Sequence, residues 1–136
     1  MRIELPSIQQ QQMLIFSEAA KQGVAQLQAN LNAPRLSPQD RVDESLYPRT
    51  HLLRQREGWQ PPDPAIVRAY FLHFQASFEL YNTDAKLAVL LGLSRNRRIR
   101  AFKEGSTPVP YGVWRHFLIL TGRVPQDIIP VLAFMG

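Results

Sequence analysis

Apolar residues recur at intervals of three and four along most of this 136-residue chain, and the alternation typical of strands is absent. The first such stripe predicts one amphipathic helix from Ser7, a suitable N-cap, to about Leu31. Gly23 lies inside it and costs the helix about 1 kcal/mol relative to alanine. The stripe either packs on the rest of the chain or pairs with a copy of itself, and its short length favours packing within the chain. Its apolar members are Met13, Phe16, Ala20, Val24, Leu27 and Leu31.

The pattern breaks between Asn32 and Pro64, a segment that holds six of the eleven prolines and therefore leaves room only for short helices. Ser37 and Pro38 have the pattern of a cap and a first helical position, which predicts a short helix to about Tyr47. A second short helix is expected around residues 52–53. The run WQPPDP that follows is typical of a linker or a tight connection.

The remainder of the chain predicts a dense set of helices, each with its own start or stop signal. Asp63 and Pro64 mark the first start, and glycines mark three of the ends. The helices are expected from Pro64 to about Phe78, from Asp84 to Leu91, from Ser94 to Gly105, from Pro110 to Gly122, and from Pro125 onward, the last kinked or shortened by Pro130. The fold class is all-α. An N-terminal extension with its Pro-rich connection (residues 1–62) precedes a helical domain (residues 63–136).

The excess of positive over negative charge arises in the last part of the chain. Residues 1–79 contain eight Lys/Arg and eight Asp/Glu, whereas residues 80–136 contain eight and three, so the whole formal charge of +5 arises there. Five of those eight cations lie between Arg95 and Lys103. Such a cluster is either a solvated helix face or a surface for a polyanion, and its position after an apolar turn favours nucleic acid.

Several classes of protein are disfavoured by the same sequence. The absence of cysteine excludes disulfides and thiolate metal sites. The N-terminus lacks the apolar segment of a secretory signal, and no apolar run is long enough for a bilayer, so we expect a soluble cytoplasmic protein without a membrane partner. His51, His73 and His116 have no ligand spacing, and the acidic residues after Gln39 suit the start of a short helix. No metal, cofactor or enzymatic activity is expected.

The basic helix after Ser94 has two distinct sides at 100° per residue. Ile99 and Phe102 fall on one side, which anchors the helix, while Arg98 lies on a flank. The opposite side carries Arg97, Arg100, Ala101 and Glu104. Together with the short helix before it and the turn at Gly92, this predicts a helix-turn-helix whose second helix enters the DNA major groove and whose N-terminus receives a phosphate.

The run from Thr83 to Gly105 resembles the helix-turn-helix of the phage-repressor (XRE-type) DNA-binding family, and VPYGVWRHFLILTG resembles the following helix of that domain. The matching positions are Leu87, Ala88, Leu91, Gly92, Leu93, Ser94, Ile99, Phe102 and Gly105. The resemblance covers roughly residues 64–135 and implies a lambda-repressor-like five-helix domain.

The same resemblance implies roles for individual residues. Thr83 and Lys86 would touch the phosphate backbone, and the helix opened by Ser94 would lie on the DNA. Bases would be read by Asn96, Arg97 and Arg100, and phosphates would be held by Arg95, Arg98 and Lys103. One extra residue between Leu93 and Ile99 departs from the family pattern and leaves open which of residues 95–97 reads a base.

The leading hypothesis is thus a sequence-specific double-stranded DNA-binding transcriptional regulator of bacterial, phage or mobile-element origin, acting as a homodimer if the N-terminal helix pairs two copies. RNA is a weaker alternative, because the aromatic residues lie on apolar stripes and are not free for stacking. The alternative from another class is a protein-interaction module or antitoxin that keeps the fold and engages a partner protein through residues 1–60.

Overall fold

The computed structural model describes residues 3–136, and within them every regular element is helical. This confirms the all-α prediction. There are five α-helices: α1 (Ile8–Asn30), α2 (Pro64–Ser77), α3 (Asp84–Leu90), α4 (Arg97–Glu104) and α5 (Tyr111–Leu120). Short 3-10 turns cover Glu44–Leu46, Thr50–Leu52, Gln55–Glu57 and Glu79–Tyr81. No helix of the described residues is long and apolar enough to cross a lipid bilayer.

The chain divides into two compact units whose boundary differs from the expected one. The basic unit is Ser37–Ile128, and the N-terminal unit combines the residues up to Leu36 with Ile129–Gly136. The Pro-rich connection therefore belongs with the helices of the basic unit and not with the extension. The reason is that its apolar side chains pack against the helical core; they are Val42, Tyr47, Leu52 and Trp59.

The N-terminal unit is built on α1, which begins where its cap predicts. The Ser7 hydroxyl accepts a hydrogen bond from the Gln10 amide at 3.1 Å, and the Gln10 side chain accepts one from the Ser7 amide at 2.9 Å. This reciprocal pair satisfies two donors that the first turn would otherwise leave free. No residue of α1 is buried, so the stripe is only partly covered within the described residues. One contact inside the unit involves the stripe, an edge-on packing of Phe134 against Phe16 at 4.8 Å.

The basic unit is organised around α2. Asp63 accepts a hydrogen bond from the Ala65 amide at 2.9 Å, and Pro64 occupies the first turn, as the sequence predicts. Trp114 of α5 is fully buried and stacks on Tyr70 of α2 with ring centroids 5.6 Å apart. The rest of the core comes from all four helices of this unit; its largest members are Phe71, Phe102, Phe117, Ile66, Leu87, Ile99 and Leu118.

The helix expected from Pro38 to Tyr47 does not form, and only the turn Glu44–Leu46 is helical there. The Gln39 side chain explains the difference, because its carbonyl oxygen accepts hydrogen bonds from the amides of Arg41 and Val42 at 2.9 and 3.2 Å. Such local side-chain bonds compete with the helical pattern. Residues 59–63 have no regular structure, which confirms the interpretation of the run WQPPDP as a connection.

The helix expected from Pro125 onward is also absent, so the basic unit contains four α-helices where the resemblance implied a five-helix domain. Pro130 cannot donate to a helical hydrogen bond and its ring would collide with the carbonyl of Gln126. Asp127 instead lies beside two cations, with its carboxylate 2.8 Å from Nε of Arg54 and 3.6 Å from Arg115. This pairing ties the segment after α5 to Arg54 of the connection and to Arg115 of α5.

Candidate nucleic-acid interface

The segment from α3 through the following turn to α4 is anchored by apolar residues from both helices. Leu87 and Ala88 of α3 and Ile99 and Phe102 of α4 are all buried. The two inward residues of α4 are the two that its periodicity predicts. The outward side of the same helix carries Arg97 and Arg100, both exposed. An apolar anchor on one side therefore fixes a cationic surface on the other.

The turn between the two helices is closed by glycine. Gly92 has φ +73°, and beyond it the Leu93 amide donates to the Ala88 carbonyl at 2.8 Å. This is the hydrogen bond that ends many helices on a left-handed glycine. Leu93, the residue directly after Gly92, packs its side chain against the core.

Helix α4 begins at Arg97 and not directly after Ser94, which is the main local difference from expectation. The amides of Arg98 and Ile99 donate to the carbonyls of Arg95 and Asn96 at 3.3 and 3.1 Å, which makes a tight first turn. Residues 94–96 consequently lie outside the helix with exposed side chains. The turn between α3 and α4 is therefore longer than the expected start at Ser94 would give.

An open groove of about 390 Å³ lies between α3 and the turn. Four of the residues expected at the DNA surface line it: Ser94, Arg95, Asn96 and Arg97. The other lining residues are apolar and were not anticipated; they are Ala85, Ala88, Val89 and Leu93. Val89 is 79% exposed. The signal that could have indicated this is the spacing of four between Ala85 and Val89 on the outer side of α3.

The arginines of this surface differ in how freely they can meet a ligand. Within residues 3–136, no carboxylate forms an ion pair with Arg95, Arg97 or Arg98. The guanidinium of Arg98 lies 5.3 Å from the ring centroid of Phe102, which orients it along the flank of α4. Arg100 pairs with Glu104 at 2.9 Å, but both side chains are largely exposed and such pairs exchange easily.

Thr83 and Lys86 lie at the start of α3 and are exposed. The Thr83 hydroxyl accepts a hydrogen bond from the Lys86 amide at 3.2 Å, so it serves as the N-cap. The Lys86 ammonium donates to the Asn82 side chain at 3.2 Å, a contact between neutral and charged groups at the surface. Both side chains remain accessible to a phosphate.

Lys103 lies elsewhere than expected, because its ammonium is turned into the contact between α2, α3 and α4. It is 2.6 Å from a carboxylate oxygen of Asp84 and 2.7 Å from the side-chain oxygen of Gln75. Burial raises the pKa of Asp84, but the hydrogen bonds from Lys103 and Gln75 outweigh it and leave that pKa below its ordinary value. Lys103 is therefore a structural residue, whereas Lys86, also expected at the DNA surface, remains accessible.

A second polar cluster ties the connection to the helices. Buried His51 accepts a hydrogen bond at Nδ1 from the Trp114 indole at 3.1 Å, so this ring nitrogen has a partner inside the core. Burial lowers the pKa of His51 to about 4, against the opposing effect of the Glu44 carboxylate. Tyr70 donates its hydroxyl hydrogen to Glu44, and the Arg123 guanidinium lies 3.8 Å from the Tyr70 ring centroid. These pairs join residues that are far apart in the chain, so the spacing of apolar residues along the sequence does not predict them.

Among residues 3–136, no group of three or more histidine and carboxylate side chains is arranged to hold a metal ion. Comparison with known proteins found no matching family model, no matching curated protein and no matching solved structure.

Proposed function

We propose that this protein is a sequence-specific double-stranded DNA-binding regulator in which α3, the turn and α4 act as a helix-turn-helix. The observation that carries the proposal is the cationic surface itself: three arginines without carboxylate partners in the described residues, held on a rigid apolar anchor. A folded protein gains nothing from such mutual repulsion, whereas a phosphate backbone compensates it.

In this proposal α4 lies in the major groove. Arg97 and Arg100, one turn apart on its outer side, read base edges, and arginine suits guanine because it donates two parallel hydrogen bonds to O6 and N7. The longer turn brings Asn96 to the groove beside them. The phosphate contacts come from Thr83, Lys86, Ser94, Arg95 and Arg98. The regulator acts at a promoter, either by blocking access to it or by recruiting another protein to it, and it catalyses no reaction.

Salt-dependent binding tests the proposal. Five accessible cations, Lys86, Arg95, Arg97, Arg98 and Arg100, should give a plot of log K against log salt with a slope of about −4 to −5 per protomer. Arg97→Ala/Arg98→Ala should weaken binding and flatten the slope by about 2, because two released counterions are lost. The measurement is fluorescence anisotropy on random-sequence duplex DNA from about 50 to about 300 mM salt.

A matched control removes the same charge from the connection of the basic unit. Arg41 and Arg49 are exposed cations there, and Arg41→Ala/Arg49→Ala should leave the slope at the parent value. Binding that is absent at low salt, or equal flattening by both double variants, would contradict an interface on α4. If binding behaves as expected, selection of a preferred sequence from the random pool would test whether the protein reads bases.

The second candidate function is a protein-interaction module, which the exposed apolar stripe of α1 favours. In that case a partner protein would bind through residues 1–60, as an antitoxin binds its toxin. The double variant on α4 distinguishes the two, because partner binding through α1 would survive the loss of Arg97 and Arg98, while DNA binding would not.

A further inference from the structure

Helix α1 carries a continuous uncharged face that we call the α1 stripe: Met13, Phe16, Ala20, Gly23, Val24, Leu27 and Leu31. At 100° per residue these positions fall within an arc of about 100°, the width of a face that normally packs on another element. Within the chain the stripe remains open, since Met13, Val24 and Leu27 are 46%, 56% and 39% exposed. Phe134 covers one edge of Phe16 and leaves the rest of the stripe accessible.

A helix of this kind depends on a partner for its stability. It has 23 residues, many of them glutamine, and Gly23 interrupts its middle. Most helical stability in proteins comes from tertiary packing of an apolar face, and a glycine inside the helix lowers what propensity alone supplies. Beyond its chain neighbours and the backbone of its own helix, no atom of the described residues lies within 4 Å of where a Cβ on Gly23 would be. No contact among residues 3–136 therefore accounts for glycine at this position.

The low charge of the N-terminal unit limits the kinds of partner that could bind the α1 stripe. Helix α1 holds one acidic and one basic residue, Glu18 and Lys21, and helical geometry puts both on the side away from the stripe. Over residues 3–36 and 129–136, Glu4 and Glu18 balance Lys21 and Arg35, so the described part of the N-terminal unit has no net charge. A highly charged ligand therefore has nothing to recognise here. A second uncharged apolar helix fits, and another copy of the chain supplies one without repulsion.

The order of side-chain sizes along the stripe suits pairing with itself. The small residues Ala20 and Gly23 occupy the middle, and the large residues Phe16 and Leu27 flank them. In an antiparallel pair that crosses between Ala20 and Gly23, the small residues of the two copies face each other and the backbones approach closely. Each Phe16 then packs against Leu27 of the second copy. This arrangement gives Gly23 the role that the single chain lacks.

We propose that two copies of this protein associate through the α1 stripe as an antiparallel helix pair that crosses at Ala20 and Gly23. The association joins two basic units in one molecule with two-fold symmetry. It stands independently of the proposed function. If the basic unit binds DNA, the dimer would present two reading surfaces and bind two half-sites with greater avidity.

Sedimentation equilibrium of the full chain between about 1 and about 200 μM measures the association directly. The parent should be dimeric in this range. Leu27→Glu should raise the dimer dissociation constant about tenfold or more, because it buries a charge in the helix contact. Ala25→Glu adds the same side chain to the opposite side of the same helix and should leave the dissociation constant unchanged.

Gly23→Ala is a second variant, in which a weaker dimer cannot be attributed to loss of the helix. Alanine favours the helix, and the space around Gly23 in the single chain is open, so the helical content by circular dichroism should rise or stay constant. Dimerisation should nevertheless weaken, because the added methyl groups hold the backbones apart at the crossing. A parent that is monomeric throughout the range would overturn the proposal and move the stripe to a partner protein. Equal weakening by Leu27→Glu and Ala25→Glu would overturn it as well.

Discussion

Gly105 ends α4 with φ +81° and lies against the first residue of α2. A Cβ at this position would be 2.6 Å from Cγ and 3.0 Å from Cβ of Pro64, and the proline ring is fixed by the start of its helix. Two costs therefore add for any other residue: a left-handed backbone and an overlap with a rigid ring.

Gly105→Ala should lower the free energy of unfolding by about 2 to 4 kcal/mol, with urea denaturation as the measurement. Gly122→Ala is the matched control. Gly122 follows α5 with φ +69°, and apart from its chain neighbours no atom of the described residues lies within 4 Å of where a Cβ would be, so only the backbone cost of about 1 kcal/mol applies. Equal losses in the two variants would show that the start of α2 moves aside freely.

At the scale of the element, α4 divides its cations between holding the fold and facing solvent. Lys103 is largely buried against Asp84 and Gln75, whereas Arg100 is exposed beside Glu104. The two residues lie only three positions apart on one short helix. Their separate tasks can be distinguished by two different readouts, because stability reports packing and the salt slope of DNA binding reports phosphate contact.

Lys103→Met should lower the free energy of unfolding by about 1 to 3 kcal/mol, since it leaves a partly buried carboxylate with one hydrogen-bond partner fewer. The salt slope should keep its parent value. Arg100→Met should do the reverse, with a stability change within about 0.5 kcal/mol and a slope flatter by up to about 1. A slope that flattens equally in Lys103→Met would mean that its ammonium leaves Asp84 to meet a phosphate.

Helices with local signals could be predicted from the sequence, and contacts made at long range could not. The starts of α1 and α2 follow from Ser7 and from Asp63 with Pro64, because a cap needs only residues in the same turn. The contacts of Lys103 could not be predicted, because its partners Gln75 and Asp84 come from two other helices. The helix expected after Pro125 competed with an ion pair between Asp127 and Arg54, which no periodicity reveals.

At the scale of the whole molecule, the connection and the helices of the basic unit meet in a cluster of groups that titrate abnormally. Burial lowers the pKa of His51 to about 4, below its ordinary 6.5. Burial, assisted by the hydrogen bond to Glu44, raises the pKa of Tyr70 to about 12, above its ordinary 10.0. Folding thus favours the neutral form of both side chains, and each sets one edge of the range of pH in which the molecule is most stable.

The sign of each edge follows from proton binding. Below pH 6.5 the unfolded chain protonates His51 while the folded chain does not until about pH 4, so the free energy of unfolding should fall across that interval by about 3 kcal/mol. Above pH 10 the unfolded chain loses the Tyr70 proton first, and stability falls again towards pH 12. A plateau should separate the two edges.

Urea denaturation between about pH 4 and 8 measures the acid edge. His51→Gln keeps an acceptor for the Trp114 indole and removes the titrating ring, so its stability should be lower at neutral pH but should change much less between pH 6.5 and 4. His116→Gln removes an exposed histidine instead and should retain the edge. The carboxylates whose pKa values are lowered, Glu44 and Asp84 among them, act at still lower pH, because their stabilisation is lost only as pH falls through their folded pKa values. An acid edge between pH 6.5 and 4 that persists in His51→Gln would show that His51 does not cause it, and would mean that His51 can take up a proton without leaving the core.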